Sequence, residues 1–221
     1  MTLETALAEL AIPGDSKQVV FVTSDGWNSP RAKVRLMERT DRAWVQKGPT
    51  MEGLTGRNGL AWGLGLHKSP TTGPRKVEGD GRAPAGVFRF GTAFAKSKGD
   101  FAWRCVVLQP THEGIDDPKS RYYNQLVNRR DIAKPDWASS EKMRASPHYG
   151  LGIWVEHNPQ RTPGAGSCIY LHEWVGDRSG GTAGCTLLPM KELRWVIGTL
   201  DPAKNPLLVQ LPEAIAQKVL P

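Results

Sequence analysis

Glycine and proline interrupt this chain so densely that short strands and turns, rather than long helices, are what it can form. The 221 residues include 24 Gly and 17 Pro. The first admits left-handed backbone and the second is refused by helix interiors. Between them lie short apolar or alternating runs. Q-V-V-F-V-T from Gln18 ends at a Ser24-Asp25-Gly26 turn, and K-V-R-L-M-E-R-T from Lys33 alternates, with Val34, Leu36 and Glu38 on one face. A turn at Asp41-Arg42 leads into a hairpin partner over residues 43–48. Residues 60–62, 87–90, 101–108, 149–157, 168–171 and 206–211 read as further strands. Helical spacing of Leu193, Val196, Ile197 and Leu200 predicts a helix over 189–200, and shorter helices are expected over 121–129 and over 139–145, the latter capped by Ser139 or Ser140. The expected fold is mainly β with a few short helices: an N-terminal arm over 1–16, helical or frayed, and one domain over 17–221.

Composition narrows the partners. The net charge of +7 suits an anionic partner, whether nucleic acid, anionic lipid or a cell-wall polymer. No run of Lys and Arg exceeds two residues and no zinc-finger or RNA-recognition pattern occurs, so nucleic acid is not expected. No stretch approaches the roughly 20 apolar residues of a membrane span. Eight Trp fit core and sheet-face packing, or the lining of a groove. Three Cys are an odd number. If Cys185 is set apart, Cys105 and Cys168 are left as two buried free thiols or as a disulfide.

The stretch with most chemistry is G-S-C-I-Y-L-H-E-W-V-G-D-R-S-G-G-T-A-G-C-T-L-L-P, from Gly166 to Pro189. A short strand delivers His172 at its end, and a loop of Gly and Ser then leads to Cys185, flanked by small residues that leave the sulfur accessible. A thiol with a pKa of about 8.5 needs a base to become a nucleophile, and His172 can supply it. Backbone N–H groups around Gly184 and Cys185 can meet an oxyanion. A buried structural Cys beside an unrelated His is the plain alternative, and no further ligands accompany the pair to make a metal site. Asp116-Asp117 reads as a turn with a salt bridge to Arg121 rather than a metal pair, and His157 as a structural strand-end residue with a lesser claim on the site.

That stretch resembles the signature of the L,D-transpeptidase catalytic domain, a His followed after roughly a dozen residues by [ST]-H-G-C, here Thr182-Ala183-Gly184-Cys185. K-V-E-G-D-G-R-A-P-A-G-V-F-R-F resembles the same family's segment before a strand. G-R-N-G-L-A-W-G and L-D-P-A-K-N-P-L-L-V-Q-L-P resemble a proteobacterial branch. The similarity runs from about Gln18 to Pro212. It implies a β-sandwich domain that needs no metal or cofactor and acts on peptidoglycan stem peptides as donor and acceptor. Cys185 would attack a peptide carbonyl and hold a thioester, with His172 as base, Gly184 in the oxyanion hole and Thr182 holding the loop. A diaminopimelate amine would then resolve the thioester into a 3–3 or 1–3 crosslink. Water in its place would make a carboxypeptidase or endopeptidase, and a non-catalytic wall-binding module is the rival of another class.

Two departures stand out. Ala183 replaces the usual His, and Leu187 stands where an Arg commonly follows the Cys. Arg82, Lys76 or Arg178 would then supply positive charge to a substrate carboxylate, with Thr182 and Ala183 also contacting substrate. Carbapenem acylation of Cys185 is a further implication. So is a periplasmic or envelope location. The start M-T-L-E-T-A-L-A-E-L-A has acids where a leader has bases, so a leader is expected to have been replaced by the initiator Met; a cytosolic protein is the other reading.

Overall fold

The computed structural model describes residues 12–217 except 42, 69, 71, 100 and 177–179. Most of the expected arm therefore lies outside the described residues. The chain is mainly β, as its punctuation requires. Its strands are β1 (Gln18–Ser24), β2 (Arg31–Arg39), β3 (Trp44–Leu54), β4 (Leu60–Trp62), β5 (Ala83–Ala95), β6 (Cys105–Val107), β7 (His112–Ile115), β8 (Gln125–Asn128), β9 (Glu141–Lys142), β10 (Leu151–Val155), β11 (Tyr170–Glu173), β12 (Thr186–Leu188) and β13 (Leu207–Pro212). Among the described residues they are joined by two short α-helices, α1 (Met190–Thr199) and α2 (Glu213–Ala216).

The main sheet closes on itself. Its order runs β10-β11-β12-β3-β2-β1-β13-β5, and β5 pairs again with β10, so eight strands form a ring. Closure removes the open edges that a flat sheet would expose. The long β5 makes it possible: residues 86–89 pair with β13 and residues 90–95 with β10. Inward residues alternate along the strands, as a two-residue period requires. Val20 and Val22 of β1, Val34 and Leu36 of β2, Ile153 of β10 and Leu171 of β11 meet in one core, which the Leu193, Val196 and Ile197 face of α1 joins. The other face of β1, β5 and β13 packs under β4, with Phe21, Trp62, Val87 and Val209 in a second core. β1 is therefore buried on both faces, which fits its unbroken apolar run.

Several elements depart from the sequence reading. Residues 121–129 and 139–145 are not helices: Gln125–Asn128 and Glu141–Lys142 are strands, paired on either side of β7 in a small antiparallel sheet. Those runs are short, and pairing with a strand from elsewhere in the chain outweighs weak local preference. Ser140 does not cap a helix; its hydroxyl donates to Glu113 Oε2 at 2.6 Å. Arg121 pairs with Asp136 at 3.3 Å, while Asp117 accepts the N–H groups of Lys119 and Ala138, so the expected salt bridge has a different partner. The strand expected over 101–108 shrinks to β6, and that over 87–90 lengthens into β5. All three Cys are free thiols, Cys168 and Cys185 buried and Cys105 partly so.

Gly86 shows how tightly β5 is seated. Its φ is 134°, and a Cβ there would lie 1.8 Å from His67 Cε1. His67 is buried and accepts the Val87 N–H through Nδ1 at 3.0 Å, and burial lowers its pKa to about 4. Gly86→Ala must displace this ring and strain the backbone. Urea unfolding is expected to show a loss of about 2–3 kcal/mol; a midpoint unchanged from wild type would show that the ring moves freely.

Candidate active site

Parallel pairing of β11 with β12 brings the two residues of interest together. Leu171 stands opposite Thr186 and His172 opposite Leu187, so Cys185, just before β12, falls beside Tyr170. The Tyr170 N–H reaches Cys185 Sγ at 3.3 Å, and the thiol donates to the Cys168 carbonyl at 3.5 Å. Alternation along β11 turns Ile169 and Leu171 into the ring's core, and Tyr170 packs instead among Phe94, Tyr149 and Cys185. The rings of Tyr149 and Tyr170 lie edge to face with the imidazole of His172, at 5.3 and 6.4 Å.

His172 Nδ1 lies 3.1 Å from the carbonyl oxygens of both His148 and Glu173. A carbonyl only accepts, so Nδ1 carries the proton in the neutral ring and Nε2 keeps the basic lone pair. This tautomer is the one a general base needs.

The loop before Cys185 is stitched in place by Thr182. Its N–H donates to Thr55 O at 2.9 Å, and its carbonyl accepts the Arg57 N–H at 2.7 Å. The Thr182 hydroxyl donates to Cys185 O at 2.7 Å and accepts the Gly184 N–H at 3.0 Å. Thr182 thus sits where a loop-holding residue would. The same bond engages the Gly184 N–H, the donor expected to face an oxyanion. What Gly184 supplies is room: a Cβ there would come 3.1 Å from Ile169 Cδ1 and 3.2 Å from Arg82 O.

A cavity of about 310 Å3 opens at this point. Cys185, His172, Thr182, Ala183, Gly184 and Lys76 all line it, so the structure collects most of the residues read from the sequence. Ala183 is exposed and leaves open the space where the resemblance has a His. Lys76 is buried, and its ammonium donates to Asp80 Oδ1 at 2.6 Å and to Val77 O at 2.9 Å. A carboxylate within the chain already meets that charge.

Arg82, expected to meet a substrate carboxylate, lies elsewhere. It does not line the cavity; its guanidinium donates to the carbonyls of Trp27 and Leu60 at 2.9 and 2.8 Å and to Asn28 Oδ1 at 2.9 Å. It braces the turn at residues 56–60 and is not available to a substrate. Arg178 lies outside the described residues. His157 is buried and structural: Nδ1 accepts the Leu64 N–H at 3.2 Å, Nε2 donates to Ala165 O at 2.9 Å, and burial lowers its pKa to about 4.

Sequence reasoning missed the acidic wall. Glu78, Asp116 and Glu141 share the cavity with Cys185. In the sequence Asp116 reads only as part of a turn, and Glu141 falls in a run expected to be helical. Burial pushes the Glu141 carboxyl up to about 7; Asp116 and Glu78 act in the same direction, and the Tyr149 and Tyr170 hydroxyls oppose it. The Tyr149 hydroxyl donates to Glu141 Oε2 at 2.8 Å. The role of the His148 carbonyl left no sequence signal, because a backbone oxygen carries no residue identity.

No protein-family model matches the chain, and no curated protein does. Two solved structures are similar to it, both of the helical cell shape determining protein Pgp2 from Campylobacter jejuni, the second a mutant. Identity is 13% with a TM-score of 0.42 for the first and 14% with 0.44 for the second. Each covers 99% of this chain, which in turn spans 60% and 59% of theirs. A likeness at that level carries no argument about activity.

The Glu141 carboxyl makes stability depend on pH. In the unfolded chain it ionises near 4.3, about the usual Glu value, whereas the folded chain holds the proton up to about pH 7. The folded state therefore binds more protons between these values, so stability falls as pH rises from about 4.5 to about 7 and then levels. Glu141→Gln is expected to flatten that slope in urea unfolding measured across the range; an identical slope in the variant would contradict the assignment.

Proposed function

We propose that the chain is a cysteine-dependent L,D-transpeptidase acting on peptidoglycan stem peptides. The observation that carries this reading is the placement of Cys185 and a correctly tautomerised His172 on one cavity. The resemblance of the segment from His172 to Cys185 to that family's signature supports it.

The chemistry follows from the groups present. His172 Nε2 takes the Cys185 proton, and the thiolate is stabilised by the Tyr170 N–H that already reaches the sulfur. Sγ bonds to the peptide carbonyl carbon, and the tetrahedral oxyanion is met by the backbone N–H of Cys185, the Gly184 N–H being held by the Thr182 hydroxyl. As the C–N bond breaks, His172 returns the proton to the leaving amine, which leaves a thioester. An acceptor amine then attacks the thioester carbonyl and gives its proton to His172, and the thiolate departs. Diaminopimelate on a second stem is the proposed acceptor, forming a 3–3 or 1–3 link. Peptidoglycan as substrate carries with it an envelope location, and the thioester chemistry extends to carbapenems.

The test is intact-protein mass spectrometry after mixing the chain with a tetrapeptide stem. An adduct equal in mass to the tetrapeptide less its departing amine is expected on wild type and none on Cys185→Ala. Alkylation of Cys185 near neutral pH should slow by about 10²-fold or more in His172→Gln. No adduct on folded wild-type protein, together with equal alkylation rates, would overturn the reading in favour of a binding module.

A further inference from the structure

A cavity larger than the one that holds Cys185 lies elsewhere in the fold. It has a volume of about 500 Å3 and lies between β5, β7, β8 and β10 and the turn after β10. One hydrogen bond links their linings. Asn124 lines the larger cavity, and its Oδ1 accepts the N–H of Cys168, which lines the smaller, at 3.0 Å. Trp154, on the larger side, lies edge to face with Tyr170 at 5.1 Å.

The lining groups are of a particular kind. Trp154 is half-buried on this cavity and offers a flat apolar surface. Arg104 and Arg161 are exposed, and neither guanidinium has a hydrogen-bond or ion-pair partner among the described residues. His112 Nδ1 accepts the Gln109 N–H at 2.8 Å, so its neutral ring carries the proton on Nε2 as a donor. Asn128 spends its Oδ1 on the Thr111 hydroxyl and the Arg130 N–H, which leaves its amide NH2 to give. Glu156 is the one carboxylate on this lining among the described residues.

An aromatic plate beside amide and imidazole donors fits a sugar ring: apolar C–H faces stack on the indole, and hydroxyls bond around the edge. A lone carboxylate among donors accepts from hydroxyls but disfavours a polyanion. Two guanidinium groups without partners call for an anionic substituent, and a carboxylate matches their planar fork. From these groups we infer that the cavity binds a saccharide bearing a carboxylate, with its ring on Trp154 and its carboxylate met by Arg104 and Arg161. The site uses no residue of the proposed reaction and stands apart from it.

Isothermal titration of the Cys185→Ala protein tests this. The probes are N-acetylglucosaminyl-N-acetylmuramic acid with its lactyl carboxylate free, neutral chitobiose, and a sugar-free stem tetrapeptide. The acidic disaccharide is expected to bind at least 10-fold more tightly than chitobiose, and Arg104→Gln/Arg161→Gln should remove that advantage. Trp154 packs on Tyr170, so its replacement risks the fold, whereas both arginines are exposed and their variants should remain folded by circular dichroism. Failure of the acidic disaccharide to bind, equal binding of chitobiose, or an unchanged affinity in the double variant would overturn the assignment. Competition by the tetrapeptide at the same residues would overturn the choice of a saccharide. Thioester formation with the sugar-free stem, measured on Arg104→Gln/Arg161→Gln with Cys185 intact, should be unaltered, so failure here is distinguishable from failure of the proposed reaction.

Discussion

The parallel register of β11 and β12 is the constraint on which the rest of the site depends. Parallel neighbours cannot be joined by a tight turn and need a crossover of about a dozen residues or more. Here the segment from 174 to 185 makes that crossover, and its return leg is pinned by Thr182 to the turn after β3. Shifting the register by one residue would turn His172 into the core and Leu171 out of it. The ring of strands that fixes the register is closed by β5 and β10, with β10 paired directly to β11, so a distant closure holds a local geometry.

The outer face of β10 and β11 pairs aromatic packing with polar chemistry. Phe94, Tyr149 and Tyr170 meet edge to face around the strand that carries His172, with ring centroids 5.2–5.8 Å apart. Such contacts fix the imidazole's surroundings, while a backbone carbonyl selects its tautomer. Glu78, Asp116 and Glu141 set an acidic boundary opposite, and Lys76 is neutralised by Asp80. A cavity with that balance favours an ammonium on the substrate over a carboxylate. Such a balance agrees with the absence of an Arg at Leu187 and with an amine as acceptor.

Much of the fold was legible because its core strands carry their own period. β1, β2, β4, α1 and β13 appear where apolar alternation, a continuous apolar run or helical spacing put them. The small sheet of β7, β8 and β9 was not, since Gln125–Asn128 and Glu141–Lys142 are two to four residues long and become strands only by pairing with β7. At the site, His172, Cys185 and Thr182 were legible through residue type and spacing. Arg82 misled, because a guanidinium beside a glycine turn reads the same whether it serves a ligand or three chain oxygens. His148 could not be read at all, since its contribution is a carbonyl.

The most direct test of the account is the muropeptide profile of purified wall sacculi incubated with wild type and with Cys185→Ala. Dimers that appear with wild type alone, and whose fragmentation shows a 3–3 or 1–3 link, are the predicted result. Identical profiles from both proteins, each shown to be folded, would contradict the claim that Cys185 and His172 form a transpeptidase centre.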